Sequence, residues 1–224
     1  MKPIKWIYTA LMLLIVWPGR AQETTAYGKS DPDAKAVLDR AAQTYATYKS
    51  LKADFTLKTA TTDHQLLGSQ QGTIWLKGEQ FKFQLGDQTV YCDGHTLWTY
   101  NKGNKEVQIT EYAPKAGQIT PSALFTDFYD KNFLYRLNGT SKIKDKTVDV
   151  VELTPLDKSQ PYYQILAQID PAQNRLMSME VFTKGGYRYT YLIDAYHPNV
   201  TLSADDFTFD QQKYPGVTVV DLRM

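Results

Sequence analysis

From residue 31 onward the apolar positions of the chain fall into two periods. Ala34, Val37, Leu38, Ala41, Ala42, Tyr45 and Tyr48 recur at spacings of three and four, which predicts one apolar stripe on a helix of about five turns. Asp31-Pro32 opens it, a capping residue followed by a proline suited to a first helical turn. From Leu51 the period changes to two. Leu51, Ala53, Phe55 and Leu57 alternate with Lys52, Asp54, Thr56 and Lys58, and Phe81, Phe83 and Leu85 alternate with Lys82 and Gln84. Val107 and Ile109, the row Tyr163, Ile165, Ala167, Ile169, and the row Tyr187, Tyr189, Tyr191, Ile193 follow the same rule. Turn signals separate the rows: Asp93-Gly94, Asn101 to Asn104, Asn138-Gly139, Pro171 to Asn174 and Gly185-Gly186. These predict about ten strands, mostly in an antiparallel meander.

A second helix interrupts the strands. Thr120-Pro121-Ser122 is a cap with a first-turn proline, and Leu124, Phe125, Phe128 and Tyr129 follow at helical spacing. It comes after a long loop, 110–119, holding Pro114 and Gly117. The expected fold class is therefore mainly β: a large antiparallel sheet that curls, with two apolar-faced helices burying their stripes against it. Such a sheet is either a container for a fatty ligand or a well-filled core, and the pattern leaves both open.

The N-terminus has a separate character. Lys2 and Lys5 precede an apolar run of 12 residues from Trp6 to Trp17, and Gly19-Arg20-Ala21 follows Pro18. The run is too short to span a bilayer and reads as a signal peptide cleaved after Ala21. Residues 22–224 are then a single exported domain. Gln22 stands where a lipoprotein would have its acylated Cys, so the product is expected to be soluble and exported. The full chain of 224 residues has 25 Lys+Arg against 24 Asp+Glu. Loss of Lys2, Lys5 and Arg20 leaves 22 against 24, formally −2. That balance argues against nucleic acid as a partner. A single Cys excludes a disulfide framework.

Candidate chemistry is sparse. A two-residue turn at Asp93-Gly94 would set Cys92 opposite His95, the ingredients of a nucleophilic dyad, though a hairpin tip offers little desolvation. His64 lies in a polar loop and His197 precedes Pro198; three scattered His give no metal-ligand spacing. Asp205-Asp206 after Ser203 reads as a capped helical turn. No nucleotide, hydrolase or metal motif is present, so no cofactor and no enzyme activity are expected. Met177 and Met179 alternate on one strand and are candidate liners of an adaptable apolar surface.

Several segments in order, Ala53-Asp54-Phe55-Thr56, Gly72-Thr73-Ile74-Trp75-Leu76-Lys77, Phe81-Lys82-Phe83, the run Asp93 to Asn101, Ile119-Thr120-Pro121, Leu153-Thr154-Pro155, Phe207-Thr208-Phe209 and Gly216-Val217-Thr218-Val219, resemble the LolA family of periplasmic lipoprotein carriers. The resemblance implies an incomplete antiparallel β-barrel of about eleven strands, covered by a helical lid and an N-terminal helix. It implies a carrier that binds the acyl chains of lipoproteins. Partners would be acylated lipoproteins, an inner-membrane ABC-type releasing complex and an outer-membrane receptor, with the carrier itself a monomer. Acyl-chain contacts would fall on Tyr45, Phe55, Phe81, Phe83, Leu85 and Val90, and on Leu124, Phe125 and Phe128 of the lid helix. Lid gating would involve Lys77, Lys82, Thr120 and Pro121. One departure stands out: the family's Arg-Pro after the Trp-x-Lys strand is replaced here by Lys77-Gly78-Glu79-Gln80, and a Lys lacks the planar fork of Arg. Carriage of another acyl lipid or glycolipid precursor stays open on that ground, as does a lipoprotein-sensing binding protein. Against the sensor, 203 residues after cleavage leave no room for the extra C-terminal domain such sensors have.

Overall fold

The structure, a computed structural model, describes residues 30–114, 120 and 129–223. The expected signal peptide and the domain start at residue 22 lie outside the described residues. So do Pro121, Leu124, Phe125 and Phe128.

Helix α1 spans Pro32–Ala46. Asp31 caps it by accepting from the Asp33 N–H at 2.9 Å, and Ala34, Val37, Leu38, Ala41 and Tyr45 are buried. The helix is 15 residues long, so it ends before Tyr48 and is shorter than the stripe suggests. Thr47 closes the last turn in αR conformation, and Tyr48 continues the same face from outside the helix.

Twelve strands follow: β1 Leu51–Thr61, β2 Leu66–Lys77, β3 Gln80–Leu85, β4 Gln88–Cys92, β5 Thr96–Asn101, β6 Glu106–Glu111, β7 Phe133–Ile143, β8 Lys146–Pro155, β9 Tyr162–Asp170, β10 Arg175–Thr183, β11 Tyr187–Pro198 and β12 Thr218–Asp221. A short helix α2, Tyr129–Asn132, precedes β7. All strands join one sheet in the order β12-β6-β5-β4-β3-β2-β1-β11-β10-β9-β8-β7. Every neighbouring pair is antiparallel except β12 with β6, which is parallel. The sheet is open, with β7 and β12 as its two edges. The incomplete-barrel expectation holds in this form.

The face on which α1 lies is called inner below. Ala53, Phe55 and Leu57 of β1, Ile74 and Leu76 of β2, and Phe81 and Phe83 of β3 share it through the strand registers. Val151 and Leu153, Ile165, Ala167 and Ile169, and Leu176 and Met179 continue it on β8–β10. These residues and the stripe of α1 form one core cluster.

Two turn expectations and one strand-face expectation are corrected. Asn138-Gly139 is inside β7, where the register with β8 shifts between Leu137 and Thr140 and Gly139 has φ of 74°. A glycine at positive φ makes a bulge there, and the hairpin turn falls at Lys144-Asp145, both at positive φ. The cause is a contact distant in sequence: the Asp31 carboxylate takes the Leu137 N–H at 3.0 Å, and the Tyr135 carbonyl accepts from the Asp31 N–H at 2.9 Å. These bonds fix the start of α1 on β7. At Asp93-Gly94 the connection is longer than two residues, since Cys92 pairs with Leu97. On β9 the register shifts opposite Phe182/Thr183. Tyr162 is therefore buried on the inner face beside Phe133, and Tyr163 lies exposed on the other face against Phe182.

Candidate functional site

α1 lies over β8–β10 and encloses a cavity of about 40 Å³. Its walls are Leu38, Ala41, Ala42 and Tyr45 of α1, Tyr129 of α2, and Leu153, Ile165, Ala167, Ile169, Leu176 and Met179 of the sheet. The lining is apolar but for two phenol groups. A water needs roughly 10–15 Å³ by this measure, so the space holds only a few water-sized volumes, far from the several hundred Å³ of an occupied small-molecule site. Alanines on the facing stripe allow α1 to approach this closely. Met179 lines the cavity; Met177, at the register shift between Leu176 and Ser178, is half-buried and lies outside this wall.

The C-terminal end of α1 is held by hydroxyls. Tyr45 Oη accepts from the Leu176 N–H at 2.8 Å and lies 3.0 Å from Tyr196 Oη. Tyr196 Oη in turn donates to the Leu176 carbonyl at 2.6 Å. Burial pushes the Tyr45 phenol up to about 12 and the Tyr196 phenol well above its ordinary value. Both are protonated at neutral pH and act as fixed polar links in an otherwise oily wall.

The inner face continues past α1. Phe55 stacks on Phe83 at 5.4 Å and touches Tyr191 at 6.0 Å. Leu85, Val90 and Leu97 are partly buried beside them, and the Phe81 ring meets Tyr112 edge-on at 5.5 Å. Among the candidate contact residues, Tyr45 lines the cavity, Phe55 and Phe81 are buried, and Phe83, Leu85 and Val90 make a half-buried wall beside it. Phe55 packs over Gly72, where an added Cβ would lie 2.3 Å from Phe55 Cζ.

Cys92 and His95 do not form a dyad. Cys92 faces Leu97 and is fully buried; its Sγ accepts from the Gly94 N–H at 3.4 Å, and burial pushes the thiol up to about 11. His95 is exposed on a turn built by Asp93, whose carboxylate takes the His95 and Thr96 N–H groups at 2.8 and 2.7 Å. A protonated, buried thiol is not a nucleophile. Among the described residues no group of three His, Cys, Asp or Glu is placed to hold a metal ion. The remaining His are structural: His64 Nδ1 contacts Arg188 at 2.8 Å, and His197 Nε2 contacts Asp54 at 3.2 Å.

The family model described as outer membrane lipoprotein carrier protein LolA matches residues 46–210. The chain belongs to the LolA family. It is 27% identical over 207 residues to an outer-membrane lipoprotein carrier protein of Pectobacterium carotovorum, covering 89% of this chain and 92% of that one. Among solved structures it resembles an uncharacterised conserved protein from Thermus thermophilus, with a TM-score of 0.55 at 12% identity over 84% of this chain and 99% of that one. A LolA superfamily protein from Nitrosomonas europaea matches at a TM-score of 0.41 and 15% identity, over 79% and 97% of the two chains.

Of the residues expected in a lid, Thr120 is described and half-buried, and the short α2 follows it in the chain. Lys77 and Lys82 point to the outer face, opposite α1. Lys77 Nζ donates to the Leu202 carbonyl at 2.8 Å, and Lys82 Nζ lies over the Trp75 and Tyr91 rings at 4.9 and 5.2 Å. There Lys77 holds the C-terminal segment. This segment was a motif match in the sequence, yet its role was not: Phe207 is fully buried, and Phe209 and Tyr214 pack on Tyr91 and Tyr100 of the outer face. The available signal was the unassigned Phe-x-Phe of 207–209 together with Tyr91, Trp98 and Tyr100, a second aromatic row out of phase with the inner one. No helix among the described residues is long and apolar enough to cross a membrane.

Proposed function

We propose that this protein is a soluble periplasmic carrier that takes the acyl chains of lipoproteins into the inner face of its sheet and moves them from the inner to the outer membrane. The reading is supported by membership of the LolA family. The single observation that carries it is the apolar inner face itself, running from the cavity under α1 to the Phe55–Phe83 wall. Each exposed CH₂ of an acyl chain costs about 0.8 kcal/mol in water, so a carrier must supply matching apolar surface and yet keep it covered when empty. A cavity of about 40 Å³ under a helix faced with alanines meets the second need. The first requires α1 or the lid segment to move outward. In this reading the signal peptide is cut after Ala21, the carrier is a monomer, an ABC-type complex supplies the cargo and an outer-membrane receptor accepts it. Lid residues Leu124, Phe125 and Phe128, with Thr120 and Pro121, complete the cover, and no catalysis takes place.

Native mass spectrometry of the protein purified from its source tests this. Co-purifying acylated species, or uptake of added triacylated lipoprotein, is expected. A clean unliganded mass with no uptake overturns the carrier reading, and capture only of free glycolipid would move the cargo to another lipid class.

A further inference from the structure

Arg175 sits at the start of β10, one residue before cavity-lining Leu176. Its guanidinium carbon lies 5.8 Å from the Tyr48 ring and 5.6 Å from the Tyr196 ring. The Tyr45 ring, which lines the cavity, is 5.9 Å from Tyr48 and 6.3 Å from Tyr196. The Tyr48 and Tyr196 rings, and behind them the Tyr45 ring, therefore stand between the guanidinium and the cavity.

Arg175 is a half-buried arginine that lacks an anion among the described residues; Arg40, which also pairs with no carboxylate among them, is exposed. Arg136, Arg188 and Arg223 each hold a carboxylate, Glu152, Glu180 and Asp221, at 2.9, 3.2 and 2.6 Å. Among the described residues no carboxylate pairs with Arg175. Its Nε and the Tyr48 hydroxyl are both buried without a hydrogen-bond partner. Each unpaired donor of this kind is costly in a folded protein. A guanidinium and a phenol O–H left with donors to give call for an acceptor-rich, negatively charged group. Such a group on the end of an acyl chain would lie next to the apolar space behind Tyr45. A packing role on the aromatic rings accounts for the stacked guanidinium plane, but it leaves Nε and the Tyr48 hydroxyl unused.

We infer that Arg175 and Tyr48 form an oxyanion site for the charged head of an acyl chain held in the cavity behind Tyr45, the head being a carboxylate or a lipid phosphate. This rests on the acyl-carrier reading and adds a second cargo class to it, a free anionic lipid, since the ester- and amide-linked chains of a lipoprotein carry no such head. The chain enters as α1 lifts, the Tyr45 contacts to Tyr196 and Leu176 part, and the oxyanion reaches the donors of Arg175 and Tyr48.

Fluorescence titration of the purified protein with cis-parinaric acid and with its methyl ester tests the site, since the two share one acyl chain and the ester lacks the charge. The acid should bind about tenfold more tightly, the scale of one charge-assisted contact. Arg175→Gln should bring the acid to the level of the ester and leave ester binding unchanged; Tyr48→Phe should narrow the preference. Thermal melting of the same variants reads any packing role separately. Equal binding of acid and ester by the native protein overturns the inference while leaving the carrier reading intact, as does an undiminished preference in Arg175→Gln. If Arg175→Gln fails to fold, an undiminished preference in Tyr48→Phe overturns it. Failure of both probes to bind overturns this site, while uptake of triacylated lipoprotein in the native mass experiment keeps the carrier reading. Competition by lysophosphatidylglycerol stronger than by oleate assigns the head to a phosphate; the reverse assigns it to a carboxylate.

Discussion

The two halves of the sheet are buried on opposite faces by different means. On β8–β10 the inner face is covered by α1, whose contact stripe is rich in alanine and whose ends are fixed by hydrogen bonds, Asp31 to β7 at one end and Tyr45 to Leu176 at the other. On β4 and β5 the outer face is covered by the C-terminal segment through large rings, with Phe209 and Tyr214 stacked at 4.7 Å and Tyr214 against Tyr100 at 4.5 Å. Alanine gains little from burial, whereas an aromatic ring buries on the order of 150–250 Å². The first cover is held by small side chains and a few polar points, and in the proposed function it is the one that lifts; the second is held by area. A carrier needs one of each: a wall that moves and a frame that keeps the sheet in shape while it does.

The largest test of that difference is Phe207→Ala. Phe207 is fully buried where the turn Ala204–Phe207 packs on β3 and β4. Truncation should cost about 4 kcal/mol, the range for a core Phe, read as a shift of the denaturant midpoint. Hydrogen exchange should rise on β3–β6 and stay unchanged on α1. A loss below about 1 kcal/mol would show that the C-terminal segment is not the frame.

At the junction of the halves the sharper probe is Gly72→Ala. Its Cβ would fall 2.3 Å from Phe55 Cζ and 2.8 Å from the Gln84 carbonyl, so the Phe55 ring must leave its stack on Phe83. Overpacking of this kind should cost about 3 kcal/mol. Adding Phe55→Ala should recover part of it, because the clash is with that ring; strict additivity of the two changes would place the strain on the backbone instead.

Why the sheet was legible from the chain while its two covers were not follows from the same geometry. Period two assigns residues to alternate faces but does not name the face. Phe81 and Phe83 look inward, whereas Tyr100 and its partner Val107 look outward to the C-terminal rings, and the two rows read alike. A bulge shifts the phase silently, as Tyr162 and Tyr163 show. Asn138-Gly139 carried a strong turn signal that a side-chain contact from Asp31, 106 positions away from Leu137, made into a bulge. Tyr45 was readable as an apolar-stripe residue, but not its hydroxyl bonds, because they reach across to Leu176 and Tyr196. Arg175 gave no signal at all, since only the fold shows that it lacks a carboxylate.

On the α1 side Asp31→Ala removes a helix cap and the acceptor of the Leu137 N–H together, so a loss of about 2 kcal/mol is expected from a cap and one further hydrogen bond. The Leu137 N–H holds the Asp31 carboxyl below the usual carboxylate range. Its folded value is depressed, so its contribution is fully present above about pH 4, the unfolded value, and is lost as pH falls through the folded value. Urea midpoints measured between pH 6 and pH 2 should therefore drop more in the native protein than in Asp31→Asn, which keeps a capping oxygen. Parallel curves would mean that the start of α1 is not held by this charge.

The smallest expected change is the most informative about motion. Tyr45→Phe keeps the ring in the cavity wall and removes only the oxygen that accepts from Leu176 N and meets Tyr196 Oη. The cost should be about 1.5 kcal/mol, the bonds to Leu176 N and Tyr196 Oη being lost together while the Tyr196 hydroxyl keeps the Leu176 carbonyl. Alkaline stability separates this bond from simple packing. The Tyr45 phenol is raised to about 12, so the native protein should lose stability as pH rises from about 10, the unfolded value, through the folded one. The variant should lose less over that interval, with Tyr196 supplying what remains. If α1 is the wall that lifts, the same change should speed the uptake of an acyl probe, because the clasp must open before a chain can enter. Slower or unchanged uptake in a variant destabilised by the expected amount would mean that the clasp is only structural and that the chain enters by another wall.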